Sequence, residues 1–287
     1  MKTVNTVETL REQVRAWRAA GERIGFVPTM GNLHAGHLSL VGQARAAGDR
    51  VVVSVFVNPM QFGPDEDYDS YPRTLEADRA QLEASGADLL FAPPVEQIYP
   101  LPLAEMTRVE VPQISDILCG RFRPGFFTGV ATVVTKLFNM VQPDLAVFGE
   151  KDYQQLIVIR RLVRDLSLPI DIEGAPTRRE PDGLAMSSRN AYLTTAERQV
   201  APQLYHSLER LAAALLAGDR DYPALEQTGV KQLELAGFRP DYVSIRRAAD
   251  LSVPGPEEPE LVLLAAAWLG RARLIDNLRV RPGTAGP

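Results

Sequence analysis

FVPTMGNLHAGHLSLV (residues 26–41) joins an apolar run, a turn of small residues and a helix-like pattern. Pro28 and Gly31 break the β-type run that starts near Arg23. Asn32 or a neighbour then starts a helix that continues through Leu38 and Val41. His34 and His37, two of only three histidines in the chain, stand three apart and point the same way from its first turn. Between them lies Gly36, which lets a ligand or another backbone come close. A helix start offers unpaired backbone N–H groups and a partial positive charge. Together with two imidazole donors this describes an anion or phosphate site. Two other readings stay open. A pair at this spacing also suits a metal, although no third ligand is evident nearby, and a histidine at a helix start can simply cap it.

Working outward, RVVVSVFVN (50–58) is a near-continuous Val/Phe run, as expected of a strand buried on both faces of a parallel sheet. ADLLFAP (87–93) and PDLAVFGE (143–150) repeat the theme, with helix-like stretches at 38–47, 73–85 and 130–141 between the runs. This rhythm predicts an α/β fold: a Rossmann-like, doubly wound parallel sheet, with ligands beyond the carboxyl ends of its strands. After residue 176 the pattern changes. A polar, turn-rich segment leads into helical patterns at about 195–217 and 221–236, then β-like runs at 241–248 and 261–270. The expected division is a nucleotide- and substrate-binding domain at 1–176 and a smaller C-terminal α+β lid domain at 177–287.

A net charge of −5 argues against a general polyanion binder, and hence against a nucleic-acid partner. The single cysteine, Cys119, excludes a disulfide within the chain and a cysteine-rich zinc site; it reads as a packed or loop residue. The first residues lack the apolar core of a secretory signal. LVLLAAAWLG (261–270) has about half the length needed to span a bilayer. The simplest location is the cytoplasm, with no membrane partner.

Three further segments carry chemistry. In FGEKDYQQL (148–156), Gly149 permits a tight turn, and Lys151 and Asp152 stand at the carboxyl edge of a strand; the alternative is a solvated charge pair. In GLAMSSRN (183–190), Ser187, Ser188 and Arg189 suit phosphate oxygens, or an ordinary helix cap. In NPMQF (58–62), Asn58 and Gln61 are placed to hydrogen-bond a hydroxyl or carboxylate, or are plain loop amides.

Taken together, these segments, with YPRTLEAD (71–78) and the closing AAAWLGRARLIDN (265–277), resemble the pantoate–β-alanine ligase family over nearly the whole chain. That family belongs to the HIGH-motif nucleotidyltransferase superfamily; HAGH is the motif's form here, and MSSR is similar to the KMSKS loop of class I aminoacyl-tRNA synthetases. The resemblance implies a two-step ligase in which ATP, with Mg²⁺, activates the carboxylate of (R)-pantoate as an adenylate. β-Alanine then attacks to give pantothenate and AMP.

The resemblance implies roles position by position. Met30, Gly31, Asn32, Leu33, His34, Ala35, Gly36 and His37 line the ATP site, with His37 as proton donor. Gly149, Glu150, Lys151 and Asp152 hold the nucleotide, with Lys151 on the phosphates. Met186, Ser187, Ser188 and Arg189 close over ATP, and Arg178 meets the adenine side through its backbone. Gln61 contacts pantoate and β-alanine, and Gln155 contacts pantoate. His37, His34, Lys151 and Arg189 form the catalytic set, and no metal ligand is assigned. Asp78 is a possible helper for Mg²⁺ or, more simply, a solvated helix residue. Phe126 stands where many members have His, so any role of that His does not carry over. A homodimer is expected from the family. The rivals are a HIGH-motif nucleotidyltransferase without a second ligation step and a non-enzymatic nucleotide sensor.

Overall fold

Val51, Val52 and Val53 are fully buried, as a strand covered on both faces requires. The computed structural model describes residues 1–64 and 66–282. Its strands are β1 (Lys2–Val4), β2 (Ile24–Thr29), β3 (Arg50–Val55), β4 (Leu89–Phe91), β5 (Leu145–Gly149), β6 (Asp171–Ala175), β7 (Arg239–Arg247), β8 (Leu261–Leu269) and β9 (Ala272–Val280). The helices are α1 (Val7–Ala19), α2 (Ala35–Ala47), α3 (Leu75–Ala84), α4 (Val95–Ile98), α5 (Cys119–Phe122), α6 (Phe126–Val141), α7 (Tyr153–Asp165), α8 (Thr195–Val200), α9 (Gln203–Leu216) and α10 (Tyr222–Leu235). The expected α/β class is what the chain adopts.

Among the described residues, six strands form one sheet in the order β1-β4-β3-β2-β5-β6, and every pair is parallel. Strand order runs one way from β2 through β3 and the other way from β5 through β6. The switch point therefore lies between β2 and β5, paired through Gly25–Leu145 and Phe26–Ala146. Ligands of such sheets bind beyond the strand ends at this point. The turn after β2 is the H-x-G-H loop, and β5 ends at Gly149. Leu40, Val41 and Ala44 on the inner side of α2 pack with Val27, Val53 and Val147 in the core on that side of the sheet.

The chain folds as two compact units: 1–150 with 158–176, and 151–157 with 177–287. In the second, β7, β8 and β9 make an antiparallel sheet. Leu204, Leu208, Leu211 and Leu215 of α9 and Leu225 and Leu233 of α10 share a core with Leu261, Leu263 and Leu274.

The expected helix at 195–217 is two helices, because Pro202 supplies no N–H at the join. α8 starts with a capping box: Thr194 Oγ1 accepts the Glu197 N–H at 3.3 Å, and Glu197 Oε2 accepts the Thr194 N–H at 2.8 Å. Cys119 is buried, as a packed residue. No helix among the described residues is long and apolar enough to cross a membrane.

Candidate active site

The helix that carries the histidines starts later than Asn32. Its N-cap is His34, in extended conformation. The two imidazoles make a reciprocal cap. His34 Nδ1 accepts the Gly36 N–H at 3.1 Å, and His37 Nδ1 accepts the His34 N–H at 3.4 Å. Their ring centroids lie 4.1 Å apart. A backbone N–H only donates, so both Nδ1 atoms act through their lone pairs. A neutral imidazole has one proton, which places it on Nε2 of each ring. The cap thus fixes the tautomer, and each ring carries an Nε2–H donor at the start of α2.

The approach to α2 is held as firmly. Gly31 donates its N–H to Thr29 Oγ1 at 3.2 Å. Asn32 and Leu33 donate theirs to Asp78 Oδ2 and Oδ1 at 2.9 and 2.8 Å. The Thr74 hydroxyl bridges both Asp78 oxygens at 3.2 Å. Gly31 has φ +81°, and a Cβ there would meet Asp78 Oδ2 and Val55 Cγ1 at 3.0 Å, so the turn requires glycine.

Two expectations change here. Asp78 is not a solvated helix residue: it is 1% exposed, and its oxygens are engaged by the loop. The loop's backbone N–H groups are largely taken as well, since those of Gly31, Asn32, Leu33, His34 and Gly36 all have acceptors. Its capacity for an anion rests on the imidazole donors and the helix dipole, not on a row of unpaired amides.

Gln61 sits in a short 3-10 turn, Pro59–Gln61, and is buried. Its Nε2 lies 3.1 Å from Met30 Sδ, which joins this turn to the H-x-G-H loop. Asn58 holds its other end. Asn58 Oδ1 accepts the Met60 N–H at 3.2 Å and the Tyr99 hydroxyl at 2.8 Å. Asn58 Nδ2 donates to Gln61 Oε1 at 3.0 Å and to the Gly129 carbonyl at 3.1 Å. The backbone partners fix which end of Asn58 is which, so Gln61 turns its oxygen to Asn58 and keeps Nε2 as its donor. The side-chain amide of Asn58 is engaged within the protein on both of its ends, and it supports Gln61. Burial pushes the Tyr99 phenol well above its ordinary range, so it stays protonated and donates.

Beneath the same turn, Arg123 forks onto Glu66 at 2.6 and 2.5 Å and donates to the Gln61 carbonyl at 3.3 Å. Its guanidinium lies 3.7 Å from the Phe126 ring centroid. Phe126 thus faces a cation in this chain.

The remaining expected residues follow β5. Gly149 ends that strand in register with Ala175, and Glu150, Lys151 and Asp152 form a 3-10 turn. Lys151 Nζ stands 3.8 Å from Asp152 Oδ2, and Gln155 is half-buried in the first turn of α7.

In the second unit, the Met186 N–H donates to the Arg178 carbonyl at 2.9 Å, closing a hairpin that leads into Ser187, Ser188 and Arg189. Ser187 caps the turn that follows, with its Oγ accepting the Arg189 N–H at 3.3 Å. Arg178 is exposed. Neighbouring Arg179 is not: it forks onto Asp276 at 2.6 and 2.9 Å. Burial pushes the Asp276 carboxyl upward, and Arg179 works against that shift.

Residue types alone pass over Tyr99, Arg123 and Asp276, and they mislead at Asp78. An acidic residue in the first turn of a helix looks the same in sequence whether it meets water or a distant loop.

A parallel α/β sheet with imidazole donors at a helix start beside its switch point defines a class of protein that receives an anionic ligand beyond the strand ends. The model of the pantoate–β-alanine ligase family matches residues 2–279, and the chain belongs to that family; it is a ligase. Pantothenate synthetase of Thioalkalivibrio sulfidiphilus is 59% identical over 280 residues, covering 98% of each chain. That of Pseudomonas putida is 59% identical over 278 residues, covering 97% of each. The crystal structure of pantothenate synthetase from Thermus thermophilus superimposes with a TM-score of 0.90 at 49% identity, over 98% of this chain and 100% of that one. Pantoate–β-alanine ligase of Francisella tularensis, solved with beta-gamma ATP and β-alanine, gives a TM-score of 0.81 at 34% identity, over 97% of both chains.

Proposed function

We propose that this ligase joins (R)-pantoate to β-alanine in two steps, using ATP. A pantoate carboxylate oxygen attacks the α-phosphorus, the bond to the bridging oxygen breaks, and pyrophosphate leaves. The β-alanine amine then attacks the acyl carbon of the adenylate. The C–N bond forms, AMP departs, and the amine gives up a proton. A carboxylate needs no base to attack, so the task of the protein is placement and charge stabilisation.

His34 and His37 donate Nε2–H to phosphate oxygens, with His37 the proton donor; Lys151 and Arg189 add positive charge. Met30, Gly31, Asn32, Leu33, Ala35 and Gly36 line the nucleotide, as do Gly149, Glu150 and Asp152. Arg178 meets the adenine side through its backbone, and Met186, Ser187 and Ser188 close over ATP. Gln61 gives its Nε2–H to pantoate and to β-alanine, and Gln155 contacts pantoate. The observation that carries this reading is the pair of Nε2–H donors fixed at the α2 start, on the loop whose Met30 touches Gln61.

Mg²⁺ accompanies the triphosphate in this proposal and neutralises part of its charge. Among the described residues no three His, Cys, Asp or Glu side chains converge on a cation position. The Asp78 oxygens already serve the loop. The ion's ligands are therefore expected on phosphate and water, and no step is routed through it. A homodimer and a cytoplasmic setting belong to the same proposal; light scattering tests the first.

The test mixes protein, ATP and Mg²⁺, then adds pantoate, then β-alanine. Pyrophosphate is expected on adding pantoate, and sustained AMP release only with both substrates. Pyrophosphate release that ignores pantoate would overturn the reading.

A further inference from the structure

Asp276 and Asn277, side by side on β9, are 3% and 6% exposed. They close the AAAWLGRARLIDN segment, to which no substrate role falls. Successive side chains of a strand point to opposite faces, so neighbours reach different partners. Asn277 Nδ2 donates to the Lys151 carbonyl at 2.9 Å. Asp276 takes the Arg179 fork on both oxygens and also accepts the Asn277 N–H at 2.7 Å.

Arg179 passes the constraint on. It donates to the Gly183 carbonyl at 3.0 Å and the Asn277 carbonyl at 3.3 Å, and its guanidinium stacks 3.6 Å from the Tyr205 ring centroid. Its backbone pairs with Ala185, the residue before Met186. The 178–186 hairpin is therefore tied at both of its arms and to β9 through this one residue. A buried ion pair adds little net stability over an apolar pair of equal volume. What this one supplies is geometry.

We infer that Asp276 and Asn277 are positioning residues for the nucleotide: from adjacent places on one strand they lock the Lys151 turn and the Met186–Arg189 segment to each other, so that the two act as one body. This rests on the reading that Lys151 and Met186–Arg189 hold ATP. Neither residue touches substrate in this scheme; each works through the segment it holds. Misplacement of a catalytic group by about 1 Å costs on the order of 100-fold in rate.

The test is a kinetic double-mutant cycle on the full chain, with ATP varied at saturating pantoate and β-alanine. Asn277→Ala is expected to lower kcat/KM for ATP by roughly 10- to 100-fold and to leave the KM for β-alanine unchanged. Lys151→Ala is expected to lower it at least as far. In the Lys151→Ala background, Asn277→Ala is expected to add less than about twofold, because the cation it chiefly places is gone. If the two losses multiply in full, Asn277 does not act through Lys151 and the inference fails, while the nucleotide reading stands. If Lys151→Ala alone leaves ATP kinetics untouched, the nucleotide reading fails and takes the inference with it. Should Asn277→Ala not fold, Arg179→Lys keeps the charge, loses the fork and enters the same cycle against Arg189→Ala. Full multiplication there overturns the inference equally.

Discussion

The carboxylate of Asp78 accepts the backbone N–H of Leu33 at 2.8 Å, across 45 positions of chain. With the Asn32 N–H on its other oxygen, α3 holds the turn that presents both histidines. The aspartate fixes the loop through its backbone.

Asp78→Asn would set an amide N–H against one of the two loop N–H groups, that of Leu33 buried and that of Asn32 half-buried. Bonds to a charged group contribute about 1.5–3 kcal/mol each, and an orphaned donor costs about 1–3. A loss of about 3 kcal/mol is expected in urea unfolding, together with a fall in kcat/KM for ATP. Unchanged stability and kinetics would show that the loop holds its own shape.

The donor role proposed for His37 can be separated from its capping role. His37→Asn puts an acceptor near the Nδ1 position and keeps the cap, but has no counterpart of Nε2–H. Turnover is expected to fall by about 100-fold or more, as for the loss of one transition-state donor, with little change in melting temperature. His37→Ala should lose the cap as well, a further cost of about 1 kcal/mol. Equal melting losses in the two variants would mean that the ring only packs.

Tyr99→Phe deletes the hydroxyl that donates to Asn58 Oδ1 at 2.8 Å. The Met60 N–H still marks that oxygen, so the amide keeps its orientation with less restraint. The cost in stability is about 1 kcal/mol. The KM values for pantoate and β-alanine are expected to rise several-fold, and that for ATP to hold. A rise in the ATP value alone would contradict the Asn58–Gln61 relay.

Gly129 lies in α6 against the turn that bears Gln61. A Cβ there would overlap the Met60 carbonyl oxygen and come within 2.8 Å of the Gln61 α-carbon, both backbone atoms that cannot swing aside. Helix propensity favours alanine by about 1 kcal/mol, while overpacking costs about 1–3. Gly129→Ala is expected to melt lower and to bind pantoate more weakly by calorimetry. A higher melting point with intact binding would place the helix farther from the turn.

Much of this was legible in the sequence. The run Val51–Val53 declared a strand buried on both faces, and the passage from Phe26 to Val41 declared a strand, a turn and a helix. What escaped has physical causes. β1 is three residues long and β6 is a half-exposed edge (DIEGA), so neither shows a marked apolar run. β9 (ARLIDNLRV) mixes charges into its pattern because Asp276 and Asn277 are buried for their partners. The helix start falls at His34, and of the readings open for the histidines the cap is one the structure shows, made by both imidazoles at once. The supports at Asp78, Tyr99 and Asp276 depend on pairings 41 to 97 positions apart. No local spacing announces such pairs.

The grouping of residues 151–157 with 177–287 has a practical corollary. Each unit is discontinuous in the chain, so no single backbone break parts them. A protease nick or an expression boundary after Pro176 would put the Lys151 carbonyl and Asn277 on different pieces, and likewise the Tyr153 hydroxyl and the Ala248 carbonyl, which it meets at 3.0 Å. Neither half made alone would hold the whole second unit, and recovering activity would require both pieces to be refolded together.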